Sequence, residues 1–570
     1  MKSQTLKSIS LITVASAGLL ACNPLNKMAK KADDVKYTAT PDPLEMHGDS
    51  VEVTVNGTIP PKYFNKKVTA TIKPYFKSED GTVTQFDSIV LVGESADADG
   101  KKIDFENGGS YKLVSKVPYS KSMANGEFWV TAVGKYKGKV KDIQDFKLAD
   151  GTIITPLLVA GDDKPIVGAD NFERITTETH KAEIHYLINS ATVRSSETRD
   201  EDMKQLFADI KAKAADTNYQ FKSLHVEAYA SPDGELTLNE NLADNRAKSA
   251  GNVVERELRR RKVAEAKEDG FTDLVGKGED WDGFKTAMEA SEIEDKDLII
   301  RVLQMYKDPA KRESEIKNLA ETYLEVKDQI LPGLRRSQIA LDINKVGKSD
   351  EEIARLATED ASKLNVEELL YAATLTTDMD EKEAIYAKAV SIYGDDWRAH
   401  NNLGYIKLMK NDMAAAETNF NNAASKAPNE PVVNNNLGVI ARLKGDRKKA
   451  MEYYNKASGA GDEVAYNKGI VYILDGDYAS ATSNMKGSNT FNEALAKVLN
   501  GDNEGALNTL NNSDAANTAE GYYLKAVIGA RMEKEDLVKN NLKTAISKDP
   551  SLKDKALNDA EFMNYDLSSL

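Results

Sequence analysis

The sequence predicts a multidomain protein: an N-terminal β-sandwich, a central α/β domain and a C-terminal all-α repeat solenoid. Three observations predict it. Apolar and polar residues alternate at period two up to about residue 170. Strand-like and helix-like patterns then take turns up to residue 346, and beyond residue 350 small and aromatic residues recur at a fixed interval. A chain of 570 residues also exceeds what one hydrophobic core organises. Apolar residues make up 41% and charged residues 29%, a balance of folded soluble domains rather than of a disordered or membrane-embedded chain. The net charge of −15 disfavours nucleic acid as a partner. One cysteine rules out an internal disulfide, and five histidines leave a zinc site few ligands, so neither a metal nor a cofactor is expected.

Residues 1–21 carry Lys2 and Lys7 and then an apolar run, 9–20, too short to span a bilayer as a helix, the pattern of a secretory signal. The run ends in Leu19-Leu20-Ala21-Cys22, which resembles the lipobox of bacterial lipoproteins. The resemblance implies that Cys22, the only cysteine, becomes the acylated mature N-terminus and binds the lipid bilayer; each buried acyl methylene contributes about 0.8 kcal/mol. Asn23 in place of Asp implies, by the same resemblance, transfer to the outer membrane, with the periplasmic and cell-surface faces both open. Residues 22–34, with Pro24, several lysines and Asp33-Asp34, show no periodicity and read as a flexible lipidated tether.

Residues 35–170 read as the sandwich. Val51, Val53 and Val55 alternate with polar residues, as do Val68, Ala70 and Ile72, and further strands are expected at 86–92, 111–117 and 127–133. Ser95, Asp97, Asp99, Gly100 and Glu106 partly mimic a calcium loop, but Ser at the first position and Lys102 within it favour an acidic hairpin. Asp49-Ser50-Val51 and Asp87-Ser88-Ile89 resemble a short O-glycosylation motif of Bacteroidota exported proteins, and read equally well as ordinary surface serines.

Residues 178–346 are read as strand 183–188, helix 201–213, strand 223–228, helix 242–260 and a last strand 337–343, an α/β layer order. The loop after the second strand reads Ser231-Pro232-Asp233-Gly234, followed by Asn239 and, on the second helix, Leu242, Arg246 and Ala247. These residues resemble the OmpA C-terminal family of peptidoglycan-binding domains, in the form with an insertion before the final strand, together with Trp281-Asp282-Gly283-Phe284 and Leu331-Pro332-Gly333-Leu334-Arg335. The resemblance implies a two-point grip on diaminopimelate by a turn Asp and a helix Arg. Arg246 fits the Arg, but Ser231 stands where the family has Asp, and Asp233 is two residues on. Ser231, Asp233, Asn239 and Arg246 are therefore candidates for peptidoglycan or partner binding, with Arg246 as a helix cap or partner of a structural acid as the bland alternative. The basic run 259–262 sits beside Glu255 and Glu257 at a predicted helix end and reads as a solvated terminus.

Residues 350–570 carry the repeats. Leu403-Gly404 is followed by Ala416, Phe420 and Ala423, and Leu437-Gly438 by Ala450, Tyr454 and Ala457, an interval of 34 residues. This resembles the tetratricopeptide repeat, in which Gly and Ala let two antiparallel helices approach and an aromatic fills the gap. About six repeats are expected, counting one upstream with Leu370, Tyr386 and Ala389. Asn401, Asn402, Asn434, Asn435 and Asn436 fall on first helices; their amides either clamp a peptide backbone in the concave groove or face solvent, and Asn401, Asn402, Asn435 and Asn436 are the groove candidates.

No Gly-x-Ser-x-Gly elbow, Walker loop or His-Glu-x-x-His occurs, so no catalytic residue is nominated and no enzyme is expected. The sequence reads as a lipid-anchored outer-membrane scaffold for periplasmic or surface proteins of an envelope complex, with peptidoglycan tethering as the alternative.

Overall fold

The computed structural model describes residues 23–568 and residue 570, so Cys22 and the signal-like segment lie outside the described residues. The chain divides into two compact units, residues 1–168 with 393–570 and residues 169–392.

In the first unit the N-terminal region is strand-rich. One sheet pairs Ser50–Ile59 with Lys36–Thr40, Leu44–His47 and Gly109–Pro118; the other runs Lys139–Asp150, Gly126–Tyr136, Thr69–Ser78, Ile89–Gly93 and Lys101–Ile103. Alternation decides which side chains go inward: Val51, Val53 and Val55 meet Phe76, Phe86 and Phe128 in a core between the sheets. The strand Lys139–Asp150 went unrecognised in the sequence because it is an edge strand rich in Lys, Asp and Gln, with few buried positions and two register breaks along its pairing. The tether reading needs correction: Pro24–Ala29 is a helix capped by Asn23, whose side chain accepts from the Leu25 amide. Leu25 and Met28 are buried in the sandwich core, and Tyr63 Oη donates to the Met28 carbonyl at 3.1 Å. Six residues are too few to display a helical period, so the sequence signal was missing.

Among its described residues the same unit holds five helical hairpins: Trp397–Met409 with Met413–Lys426, Pro431–Leu443 with Arg447–Lys456, Asp462–Asp475 with Tyr478–Met485, Phe491–Leu499 with Asn503–Asn511, and Ala519–Arg531 with Glu535–Lys548. Small residues set the spacing. A Cβ on Gly404 would lie 2.8 Å from the Phe420 ring, and one on Gly438 would lie 2.5 Å from Tyr454. The second helix of each of the first four hairpins starts at an Asp (Asp412, Asp446, Asp477, Asp502) that accepts from a backbone N–H three residues on. The sandwich is seated on these repeats. The His47 and Tyr478 rings meet edge to face at 4.6 Å, Arg447 pairs with Asp49, and Gly48 at φ +57° comes so close to the Asp475 carbonyl that a Cβ would stand 2.7 Å from it. Asp49, part of a glycosylation-like triplet, is thus engaged by the repeats.

The second unit contains a four-stranded sheet in the order Ile175–His185, Arg336–Val346, Tyr219–Ala230, Thr272–Glu279. Helices Glu201–Lys213 and Leu236–Arg260 lay Met203, Leu206, Ile210, Val254 and Leu258 on its core. Thr272–Glu279, parallel to Tyr219–Ala230, is a strand absent from the sequence reading. Its Gly276 permits the backbone of Asp244 to approach, since a Cβ there would fall within 2.6 Å of the Asp244 nitrogen; glycine at this point masked the strand pattern. The insertion between this strand and the last one is helical and has its own core of Phe284, Met288, Ile299, Leu303 and Leu334. Residues 259–261 end their helix with Arg260 and Arg261 both paired to Glu257. A further hairpin, Val366–Ala372 with Met379–Ile392, buries Leu370, Tyr386 and Ala389 in this unit, so the solenoid of the sequence reading is divided between the two units.

Candidate functional sites: an amide-lined groove and an arginine turn

Between the sandwich and Gly168 the chain runs extended through the groove of the repeats, against repeat order. Four asparagines read its backbone in pairs of hydrogen bonds. The Ala160 N–H donates to Asn492 Oδ1 at 2.8 Å while Asn492 Nδ2 donates to the Ala160 carbonyl at 2.9 Å. Asn467 treats Lys164 the same way at 2.7 and 2.9 Å, Asn436 treats Ile166 at 2.7 Å in both directions, and Asn402 treats Gly168 at 2.7 and 2.9 Å. An amide side chain carries one acceptor and two donors, so each can pair with a peptide unit as a neighbouring strand would and still donate once more. That extra capacity links the rungs: Asn436 Nδ2 donates to Asn401 Oδ1 and Asn467 Nδ2 to Asn435 Oδ1, at 2.9 and 3.0 Å. Asn401 and Asn435 add second donors to the Ile166 and Lys164 carbonyls at 3.1 and 3.0 Å. All six asparagines are essentially inaccessible to solvent.

Side chains of the strap add contacts that depend on residue type. Asp163, buried, receives Arg442 through both Nε and Nη2; burial nonetheless pushes its carboxyl above the usual range. Asp162 accepts from Tyr466 Oη at 2.7 Å and from Asn492 Nδ2 at 2.8 Å. Lys164 Nζ lies 5.0 Å from the Tyr466 ring centre, a cation–π distance. Leu158 and Val159 pack on one repeat core and Ile166 on another. A Cβ at Gly168 would stand 3.0 Å from the Trp397 ring. All four groove candidates therefore touch main chain, and the main chain is the protein's own. Asn434 lies elsewhere, its Nδ2 donating to the Pro428 and Glu430 carbonyls at the start of its helix.

The turn in the second unit is closed in a different way. Arg246 is 1% exposed, and its Nε, Nη1 and Nη2 donate to the carbonyls of Ser190, Tyr229 and Leu187 at 2.9, 2.9 and 3.3 Å. Its guanidinium lies over the Tyr186 ring at 5.1 Å, and burial pulls its pKa down to about 10, so it stays charged at neutral pH. The partners are main-chain carbonyls, which corrects the expectation of a helix cap or a structural acid. Ser231 Oγ donates to Asp233 Oδ1 at 2.5 Å and accepts from Arg335 Nε at 3.0 Å, while Arg335 Nη2 stands 3.4 Å from Asp233 Oδ2. Asn239 Nδ2 donates to Glu279 Oε1 at 2.9 Å, and burial raises the Glu279 carboxyl. Arg335 was quoted in the sequence only as part of a motif, yet it is the cation that Asp233 meets.

Residues 432–460 match the tetratricopeptide-repeat family model. They span the second hairpin of the first unit, including Asn435, Asn436, Arg442 and Tyr454. Among solved structures, the chain is similar to a tetratricopeptide repeat protein from Parabacteroides merdae ATCC 43184 (16% identity, 35% of this chain, 85% of that one, TM-score 0.27). It is similar also to PilW, a widely conserved type IV pilus biogenesis factor (17%, 35% and 94%, TM-score 0.28), and to YrrB, a tetratricopeptide-repeat protein with an unusual peptide-binding site (17%, 35% and 94%, TM-score 0.21). No curated protein matches the chain.

The tetratricopeptide phase contains a signal that the sequence reading missed. Asn402 and Asn436 each stand two residues before the small residue of a first helix, Gly404 and Gly438; Asn467 and Asn492 stand two before Gly469 and Ala494. Extending that register would have found both remaining rungs.

Proposed function

We propose that the chain is a non-catalytic scaffold, held at the outer membrane by acylated Cys22, that gathers protein partners of an envelope complex serving outer-membrane protein assembly or secretion. The observation that carries this reading is the run of repeats whose asparagines pair with the backbone of an extended segment. Such a surface recognises polypeptide as polypeptide and offers no arrangement for bond chemistry. Among the described residues no helix is long and apolar enough to cross a membrane, so attachment would fall to the acyl chains. Cys22 immediately precedes the capped helix Pro24–Ala29, which is pinned into the sandwich core, so acylation would keep the sandwich against the bilayer surface without a leash.

The peptidoglycan alternative draws no support from the turn. Arg246 is spent on three carbonyls, and Ser231 and Asp233 are bound to Arg335. Two experiments test the proposal together. Cells fed an alkyne fatty acid should label the wild-type chain and leave Cys22→Ser unlabelled, and photo-crosslinking in intact cells should trap the chain with a constant set of envelope proteins. An unlabelled wild-type chain contradicts the anchor, and a chain recovered only as a monomer contradicts the scaffold. Sedimentation with purified sacculi that Arg246→Lys abolishes would reinstate the tether.

A further inference from the structure

We infer that the groove is a sequence-selective peptide site filled in cis, and that the partner able to open it presents an extended acidic segment resembling residues 158–168. The inference deepens the scaffold reading by naming what the groove accepts. The two fail separately, because a chain that recruits partners through other faces would remain a scaffold without binding such a peptide.

The selectivity follows from the contacts. The asparagine pairs read only N–H and C=O, so they accept any extended backbone, and specificity has to come from the side chains between the rungs. An Asp must face Arg442, since a neutral residue there leaves a largely buried guanidinium unpaired. Five residues later glycine fits best, because a Cβ would come to 3.0 Å from Trp397 and Arg398 and one of them would have to give way. The residue two before that glycine contributes apolar contact, as Ile166 does. Pro165 has no N–H to satisfy and confines its own φ to about −65°, which lowers the entropy lost on ordering the segment. The pattern is Asp-x-x-Ile-x-Gly, read by an arginine, a repeat core and a tryptophan.

The strap has the character of a ligand. It touches the repeats through side-chain amides that water can satisfy when the strap departs. Among the described residues it contributes no strand to either sheet of the sandwich, and the helices of the repeats are closed by hydrogen bonds of their own. Tethering gives it an effective concentration of order millimolar, so a free peptide of equal intrinsic affinity is excluded from the intact chain. Weakening the strap alone, with every groove residue left in place, should uncover the site.

The test uses the full chain and a fluorescent, amidated peptide with the sequence of residues 158–168. Asp163→Ala and the double variant Asp163→Ala/Gly168→Val disable the strap without touching the repeats. Fluorescence anisotropy should show at least tenfold tighter peptide binding to Asp163→Ala than to the wild-type chain, tighter still for the double variant, and at least tenfold loss when the peptide itself carries the Asp163→Ala change. A folded Asp163→Ala chain that binds no better than wild type overturns the inference, as does equal binding of the wild-type and altered peptides. If the double variant fails to give a cooperative melt, the strap is part of the fold itself, which also overturns it.

Discussion

The groove and the turn both bury strong hydrogen-bond donors and both satisfy them on main-chain carbonyls, yet they do so at opposite ranges. Arg246 reaches carbonyls of Leu187, Ser190 and Tyr229 within its own α/β domain, so its bonds are part of that domain's packing. The asparagines reach the backbone of residues 160–168 from positions more than 230 residues along the chain, with strap side chains such as Asp163 adding contacts between the rungs. The first arrangement fixes a fold. The second resembles a complex whose ligand happens to be attached.

Substitutions sharpen that contrast. The largest effect is expected at Arg246: Arg246→Met removes the three hydrogen bonds that the buried guanidinium donates to partly buried carbonyls, each contributing about 1.5 kcal/mol, for a total of about 4 kcal/mol of stability in the second unit. Denaturant titration followed by Trp281 in a Trp129→Phe/Trp397→Phe background would read it, and a loss below about 1 kcal/mol would mean the arginine is not structural. Next comes Asn436→Ala, which removes the bonds to both backbone groups of Ile166 and to Asn401 and should cost about 2 kcal/mol in the first unit. Asn434→Ala, outside the groove, should cost less than about 1 kcal/mol in the same melt, and equal losses would erase the distinction between the two neighbours.

The smallest effect is a pH dependence in the second unit. Hydrogen bonds from Lys277 and Tyr229, with His225 nearby, hold the Glu227 carboxyl down to about 2, against 4.5 for an ordinary glutamate. A depressed folded-state pKa means that the ionised carboxylate is the stabilising form. Its contribution is complete above about pH 5 and disappears as pH falls toward 2. Glu227 is partly exposed, so the effect should stay below about 1 kcal/mol. Acid titration of Glu227→Gln beside the wild-type chain should show a difference that shrinks as pH falls; a difference that grows would reverse the assignment.

The legibility of these features in the sequence follows their physics. Repeats whose helix contacts need Gly against an aromatic, such as Gly404 with Phe420 and Gly438 with Tyr454, announce themselves at a fixed interval, and buried valines such as Val51, Val53 and Val55 announce a half-buried strand. The polar edge strand Lys139–Asp150, the glycine-bearing Thr272–Glu279 and the six-residue helix Pro24–Ala29 carry too few buried positions to show a period. In the groove, Asn401, Asn402, Asn435 and Asn436 were legible because they sit in phase with the repeat. The occupant was not, since residues 159–168 have no regular structure of their own and gain meaning only from rungs up to 332 residues away. Arg246 shows the converse: a motif can mark a position without revealing whether its charge faces a ligand or the protein's own carbonyls.

Hydrogen exchange of the wild-type chain, resolved to single amides along residues 158–168, tests the amide-lined groove most directly. The account predicts that the Lys164, Ile166 and Gly168 amides exchange at least about a hundredfold more slowly than in the free peptide, and that Asn436→Ala releases Ile166 more than Gly168. Exchange at free-peptide rates along the whole segment would contradict it.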